Sequence, residues 1–95
     1  MDNQEPKNKR RQLHVSLVTP NGRIYNEPAR GVILPGKEGQ LTILTDHTPL
    51  LTTLGSGDLV VRRKGMADKR FITHGGFAEV SNNEVTILVD TAREI

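Results

Sequence analysis

The sequence predicts a single all-β domain made of many short strands, arranged as a sandwich or a barrel. From Leu13 onward the dominant period of apolar residues is two, as in residues 13–18, where they alternate with His14 and Ser16. This period is typical of a strand with one buried face. Turn residues recur about every 8–12 positions, as they do in sandwiches and barrels. No segment carries a convincing helical period over the length that a stable helix requires.

Strands are predicted wherever apolar residues alternate between turn signals. We expect them at residues 13–18, 24–34, 40–44, 50–54, 58–63, 69–74, 77–81 and 84–90. Pro28 interrupts the second of these, because proline cannot donate a ladder hydrogen bond and therefore suits an edge strand or a bulge. Asn82-Asn83 tolerates the left-handed conformation of a tight two-residue turn. Residues 91–95 are compatible with a helix but too short to form one alone.

Length and composition limit the chain to a small group of classes. The 95 residues suffice for one small domain with a modest core. The absence of cysteine excludes disulfides, thiolate metal sites and cysteine nucleophiles. No apolar run approaches the roughly 18–20 residues of a membrane span, and the N-terminus lacks the apolar core of a secretory signal. We therefore expect a soluble chain that contacts a membrane only indirectly.

The formal net charge of +2 is concentrated at the N-terminus. Residues 1–12 have four basic and two acidic side chains, whereas residues 13–95 have nine of each. The first twelve residues contain no large apolar side chain after Met1, so they cannot bury enough surface to offset the entropy of ordering. We predict a disordered basic arm over residues 1–12 and a folded domain over residues 13–95.

The patterns that would indicate catalysis are absent from the sequence. The three histidines have no spacing typical of a zinc motif. The segment Gly36-Lys37-Glu38-Gly39 lacks the remainder of a phosphate-binding loop, and no helix is predicted after it. Glu38 and Asp46 lie in neighbouring loops, but no apolar pocket is expected that would raise the pKa of either carboxyl group. We expect no active site, no metal and no cofactor, so the chain is interpreted as an interaction module rather than an enzyme.

Two other classes of function remain as alternatives. The first is a small β-barrel module that binds nucleic acid through the basic arm and the hairpin Arg62–Arg70, although few aromatic residues are present to stack on bases. The second is a small metal-dependent enzyme of the jelly-roll type, which the histidine spacing disfavours. Salt-dependent DNA binding would favour the first alternative, and a stoichiometric metal the second.

The order of the loops resembles that of a known family. Three segments carry the resemblance: Leu34-Pro35-Gly36 with Glu38-Gly39, His47-Thr48-Pro49-Leu50-Leu51, and Gly75-Gly76-Phe77 with Glu79-Val80. In this order and spacing the chain is similar to the N-terminal β-sandwich domain of the ε subunit of bacterial F-type ATP synthase, which is called δ in mitochondria. The resemblance covers Leu13 to about Arg93. It implies a flattened β-sandwich of about ten short, mostly antiparallel strands.

The resemblance also implies a role in a rotary machine. A domain of this family is a non-catalytic subunit of the central stalk that binds the γ subunit and rests on the polar loops of the membrane-embedded c-ring. It turns with the rotor, couples ion translocation to ATP synthesis and contacts the αβ head only indirectly. The implied location is the cytoplasmic side of the bacterial inner membrane, with peripheral membrane contact through the complex and no contact with nucleic acid.

By the same resemblance, two sets of residues are expected to contact partners. The loop expected to face the c-ring consists of Lys37, Glu38, Gly39 and Gln40. The residues expected to face the γ subunit are Thr19, His47, Thr48, Pro49, Leu50 and Thr52.

The sequence departs from the family pattern in three places. Gln40 stands where a carboxylate often follows the Glu-Gly pair, and Asp46 replaces a frequent glycine before the histidine. Many ε subunits also continue into a two-helix domain that inhibits ATP hydrolysis and in some bacteria binds ATP, whereas this sequence stops at Ile95. Two explanations are consistent with a C-terminus at Ile95: the gene encodes a short form, or the sequence is a shortened version of a longer chain. For a natural short form we expect neither helix-mediated inhibition nor ATP binding, and micromolar ATP binding by isothermal titration would contradict that expectation.

Overall fold

The computed structural model describes residues 12–95, which form ten β-strands. The strands are β1 (Leu13–Thr19), β2 (Gly22–Ala29), β3 (Gly31–Gly36), β4 (Gly39–Leu44), β5 (Leu50–Thr53), β6 (Gly57–Arg62), β7 (Lys69–His74), β8 (Phe77–Ser81), β9 (Glu84–Leu88) and β10 (Thr91–Glu94). This part of the chain contains no helix long and apolar enough to cross a membrane. The arm predicted at residues 1–12 lies, apart from Gln12, outside the described residues.

The strands form two five-stranded sheets. The first sheet has the order β2-β1-β9-β8-β5, and the second has the order β10-β7-β6-β3-β4. Neighbouring strands are antiparallel except for β1 and β9, which are parallel. The structure therefore confirms the all-β prediction and the implied sandwich of about ten mostly antiparallel strands.

The core lies between the two sheets and is built from alternate residues of each strand. Leu13, Val15 and Leu17 of β1 are fully buried, as the period of two predicts. They join one continuous cluster with apolar residues from both sheets. Phe71 of β7 is among its largest side chains, and its ring meets the ring of Tyr25 edge-on at 6.0 Å between centroids. Such an aromatic pair helps to fix how the two sheets pack.

The segment predicted as one extended strand at residues 24–34 is divided between the sheets. Its first part, β2, pairs with β1 at the edge of the first sheet, and its second part, β3, pairs with β4 and β6 in the second sheet. The crossing point is Arg30, whose N–H donates to Arg62 O at 2.7 Å. Pro28 lies on the edge strand, as expected. The interruption predicted near Pro28 corresponds to this change of sheets, which occurs two residues later, at Arg30.

The C-terminal residues form a strand and not a helix. β10 pairs with β7, and Ile95 N donates to Arg70 O at 3.0 Å. An isolated turn of helix is unfavourable, whereas the open edge of β7 offers backbone hydrogen bonds at once. Lys69 and Glu94 add an ion pair at 2.7 Å between these two strands.

The sandwich has two distinct ends. In the second sheet, β3 is antiparallel to both β4 and β6, so the β3–β4 turn and the β6–β7 loop lie at opposite ends. We call the first the hairpin end, which carries Lys37-Glu38. The second is the basic end, which carries Arg30, residues 62–68 and the turn Asn82-Asn83 of the first sheet.

Candidate partner-binding surfaces

The predicted ring-facing residues lie at the tip of the β3–β4 hairpin. Gly36 and Gly39 form the last pair of the ladder, and Lys37-Glu38 closes it as a two-residue turn. Gly39 has a φ of 137°, and a Cβ at Gly36 would lie 2.5 Å from Gly39 O, so the tight turn requires glycine at both positions. The four predicted residues, Lys37 to Gln40, are all exposed.

The base of this hairpin is joined to the other sheet. Lys37 N donates to Thr53 O at 3.0 Å, and Gly55 N donates to Pro35 O at 2.8 Å. Gly36 also forms a bridge to Leu54, which follows β5. The hairpin tip is therefore open to solvent while its base is held by both sheets, a geometry suited to transmitting force from a contact at the tip.

The predicted γ-facing turn, His47 to Pro49, lies at the opposite, basic end. Asp46 precedes it with a φ of 67°, in the left-handed region where glycine is favoured. Asp46 N donates to Asn83 Oδ1 at 2.6 Å, and Asn83 Nδ2 donates to Asp46 Oδ1 at 3.0 Å. These two hydrogen bonds join the β4–β5 connection to the β8–β9 turn. They explain how a residue other than glycine is held at position 46.

Within the turn, the histidine bonds to its own neighbours. His47 N donates to Leu44 O at 3.1 Å, and its Nδ1 lies 2.7 Å from Thr48 O. The tautomer protonated at Nδ1 donates that second hydrogen bond. The turn therefore has a defined shape before any partner binds.

Strand β5 divides its residues between two faces. Leu50 and Thr52 lie opposite Val80 and Ala78, which are buried, and Leu50 packs against the core. Leu51 and the exposed Thr53 point to the outer face of the first sheet, and Leu51 is 69% exposed. Leu51 is therefore the outward-facing leucine of this strand, although Leu50 and not Leu51 was predicted to face the γ subunit. Strict alternation along residues 50–53 is the signal that could have assigned it.

An apolar row crosses the outer face of the first sheet next to Leu51. Val18, Leu88 and Phe77 are register partners on adjacent strands β1, β9 and β8. Phe77 is 46% exposed, and Val18 and Leu88 are half-buried. We call Val18, Leu51, Phe77 and Leu88 the outer patch. Leu51 lies diagonal to Phe77 and directly opposite the exposed Glu79, so an acidic side chain borders this patch. Exposed apolar side chains that lie together with polar residues around them are typical of an interaction surface.

Thr19 is separated from the rest of the predicted γ-facing set. It ends β1 at the hairpin end, and β9 and β8 lie between β1 and β5. Its hydroxyl accepts from Asn21 N at 3.1 Å and donates to Gly22 O at 3.3 Å. These bonds give Thr19 a local role in the β1–β2 turn. The structure brings the turn at residues 47–49 next to β5 but does not bring Thr19 to either.

Among residues 12–95, no three His, Asp or Glu side chains lie together in a way that could hold a metal ion. His14 lies 3.6 Å from the Glu84 carboxylate, and His74 Nδ1 lies 3.1 Å from Ser56 Oγ.

Comparison with known proteins gives this geometry a family. A family model described as "ATP synthase, Delta/Epsilon chain, beta-sandwich domain" matches residues 12–95. The chain belongs to this family. The resemblance inferred from the loop order is thereby confirmed.

Relatives of this chain include proteins named ATP synthase epsilon chain. One from Synechococcus elongatus is 48% identical over 83 residues, which cover 84% of this chain and 58% of the relative. The chloroplastic epsilon chain of Porphyra purpurea is 42% identical over 85 residues, which cover 86% of this chain and 60% of the relative. The chain thus spans less than two thirds of the length of these relatives.

Solved structures of ATP synthases contain the same fold. A chain in the mitochondrial ATP synthase of Euglena gracilis, from an assembly of OSCP, F1 and c-ring, superposes with a TM-score of 0.83 at 25% identity. The match covers 99% of this chain and 57% of that chain. A chain of the central stalk and c-ring of Tetrahymena thermophila shares the fold, with a TM-score of 0.73 at 24% identity over 86% of this chain and 66% of that one.

Proposed function

We propose that this domain is a non-catalytic rotor subunit of an F-type ATP synthase that bridges the γ subunit and the c-ring and so couples ion translocation to ATP synthesis. The observation that carries the proposal is the family match over residues 12–95. The physical support is the presence of two separate contact surfaces, the hairpin tip and the outer patch, on one rigid sandwich. Its proposed location is the cytoplasmic side of a bacterial inner membrane, where the hairpin tip would contact the ring.

The hairpin tip has the chemistry for a polar contact with the ring. Lys37 and Glu38 present one charge of each sign, and Gln40 presents a neutral hydrogen-bonding group. Exposed charge pairs contribute about 0.2–1 kcal/mol each, so the contact at the tip would be specific in position but weak. A weak contact between the hairpin tip and the c-ring is sufficient if the domain is held in place mainly by the γ subunit.

The γ subunit would provide that stronger contact through the outer patch and the neighbouring turn at residues 47–49. Burying an exposed leucine or phenylalanine stabilises a complex by about 1.5–3 kcal/mol per side chain. Leu51 and Phe77 therefore supply the apolar centre, while His47 and Thr48 supply polar groups at its edge. Leu50 and Thr52 contribute from beneath by holding β5, and Thr19 lies outside the proposed contact.

The experiment is co-purification of the tagged chain with the γ subunit from the same source, followed by titration. Leu51→Asp and Phe77→Asp are expected to weaken γ binding at least about tenfold. The matched control is Met66→Asp, which adds the same charge at an apolar residue that is 56% exposed at the basic end. Leu50→Asp is unsuitable because Leu50 packs against the core. Equal γ binding by all three variants would overturn the assignment of the outer patch.

The ring contact is tested separately in the assembled complex. The charge exchange Lys37→Glu with Glu38→Lys keeps the net charge while reversing the tip. We expect proton pumping per ATP hydrolysed to fall while γ binding stays unchanged. Unchanged pumping would remove the tip from the proposed coupling surface.

A further inference from the structure

An open groove of about 430 Å³ lies at the basic end, between the β2–β3 crossing and the β6–β7 loop. Its lining includes Gln12, Glu27, Arg30, Arg63, Lys64 and Met66. Neither the hairpin tip nor the outer patch contributes to it. The proposed rotor function therefore leaves the groove without a role.

The groove concentrates positive charge. An adjoining hollow shares Arg30 and Arg63 and adds Arg62 and Asp68. The two together carry four cations against two carboxylates, although residues 13–95 as a whole have equal numbers of each.

These cations are not neutralised by ion pairs within the described residues. The ion pairs found among residues 12–95 are His14–Glu84 and Lys69–Glu94, and neither includes a cation of the groove. Arg63 is fixed, because its Nε donates to Ala67 O at 2.9 Å within its own loop. Positive charge on an ordered wall favours an anionic ligand.

A buried donor lies beside the same wall. Tyr25 is 5% exposed, and its hydroxyl lies close to the Glu27 carboxylate. Burial raises the pKa of Tyr25, as does the nearby Glu27 carboxylate, while Arg63 lowers it. The hydroxyl is therefore protonated at neutral pH and close to two residues that line the groove.

We propose that this groove binds an acidic peptide segment of a partner protein. Arg30, Arg62 and Lys64 pair with its carboxylates, and Met66 packs against its apolar side chains. Arginine suits this role because its planar fork can bind a carboxylate through two hydrogen bonds.

A peptide is favoured over a lipid surface by the position of the groove. It lies at the end of the sandwich opposite the hairpin tip, so a tip that contacts the ring directs the groove away from the bilayer. This step rests on the proposed function. A peptide is favoured over nucleic acid because, among residues 12–95, no aromatic side chain lines the groove to stack on bases.

The test is fluorescence anisotropy of a labelled peptide rich in glutamate and leucine, titrated with the full chain. Arg30→Glu with Arg62→Glu is expected to weaken binding at least about tenfold relative to a control with the same charge change at two distant arginines, Arg23→Glu with Arg93→Glu. Equal weakening by the two double variants would overturn the proposal, because only net charge would then matter.

Competition distinguishes the other anionic ligands. Vesicles of anionic phospholipid, a single-stranded oligonucleotide and inorganic phosphate are each added to the bound peptide. Displacement by any of these at a lower concentration than unlabelled peptide would overturn the assignment to a peptide. Binding of γ is measured on the same groove variants. If the groove variants lose peptide binding but still bind γ, the peptide site in the groove is supported. If the unmutated chain binds the peptide but not γ, only the proposed rotor function is overturned.

Discussion

The paired hydrogen bonds between Asp46 and Asn83 are expected to hold the turn at residues 47–49 and to stabilise the domain measurably. Asp46→Ala removes the side-chain acceptor of the 3.0 Å bond but keeps the 2.6 Å bond from its backbone N–H. Asn83→Ala removes both bonds. Asp46→Gly removes the same acceptor as Asp46→Ala but also relieves the left-handed backbone, whose φ is 67°.

The magnitudes follow from these differences. A hydrogen bond contributes about 0.5–1.5 kcal/mol net, and both bonds are exposed, so each lies at the lower end of that range. A left-handed residue with a Cβ costs about 1–2 kcal/mol more than glycine. Because Asp46 and Asn83 already carry a Cβ in this conformation, we expect a loss of about 0.5 kcal/mol for Asp46→Ala and about 1 for Asn83→Ala, whereas Asp46→Gly is expected to gain about 0.5–1.5.

The assay is urea and thermal unfolding followed by circular dichroism. For a domain of this size, 1 kcal/mol corresponds to about 4–8 °C in Tm. Because Asp46 takes part in a further interaction, the double variant Asp46→Ala with Asn83→Ala is included to isolate the coupling between the two residues. Equal losses for Asp46→Gly and Asp46→Ala would refute the argument from backbone strain. Additive losses in the double variant would refute the hydrogen-bonded pair.

Three further predictions concern other parts of the fold. Gly76→Ala is expected to destabilise the domain by more than about 3 kcal/mol or to prevent folding, since φ is 98° and an added Cβ would meet Leu88 O; far-UV circular dichroism checks this. Lys69→Met, which removes the exposed ion pair with Glu94, is expected to change the urea unfolding free energy by less than about 0.5 kcal/mol, and a larger loss would show that the pair orders β10. Burial raises the pKa of Tyr25 above 10.0, so its contribution to stability is present below pH 10.0 and is lost as pH rises through the raised value. The difference in urea midpoint between the chain and Tyr25→Phe should therefore shift in favour of the variant above about pH 10, and a constant difference would contradict the raised pKa.

Local patterns predicted the strands well because burial in a sandwich is periodic. The alternation at residues 13–17 and the turn at Asn82-Asn83 correspond directly to observed elements. The change of sheet at Arg30 was not predictable from periodicity, because it depends on a hydrogen bond to Arg62, which is distant in sequence. The strand at the C-terminus was missed for the same reason, since only the open edge of β7 makes residues 91–94 extended.

The candidate surfaces were predicted less completely than the fold. The hairpin tip follows from a glycine-flanked turn, which is a local signal. The outer patch brings together residues from four strands, of which only β8 and β9 are consecutive in sequence, and no spacing rule gives that neighbourhood. The family resemblance directed attention to residues 47–52, while the pleat of β5 decides which of them face outward.

The parallel pairing of β1 with β9 sets the order in which this chain can fold. His14 lies opposite Glu84, so the first sheet closes only when nearly the whole sequence is available. During synthesis, the β1–β2 hairpin must wait with one apolar face open until β9 leaves the ribosome. Contacts between such distant residues slow folding because the loop entropy is lost before they form. A fragment that ends before residue 84 is therefore expected to remain unfolded and prone to aggregation, however many of its hairpins are intact.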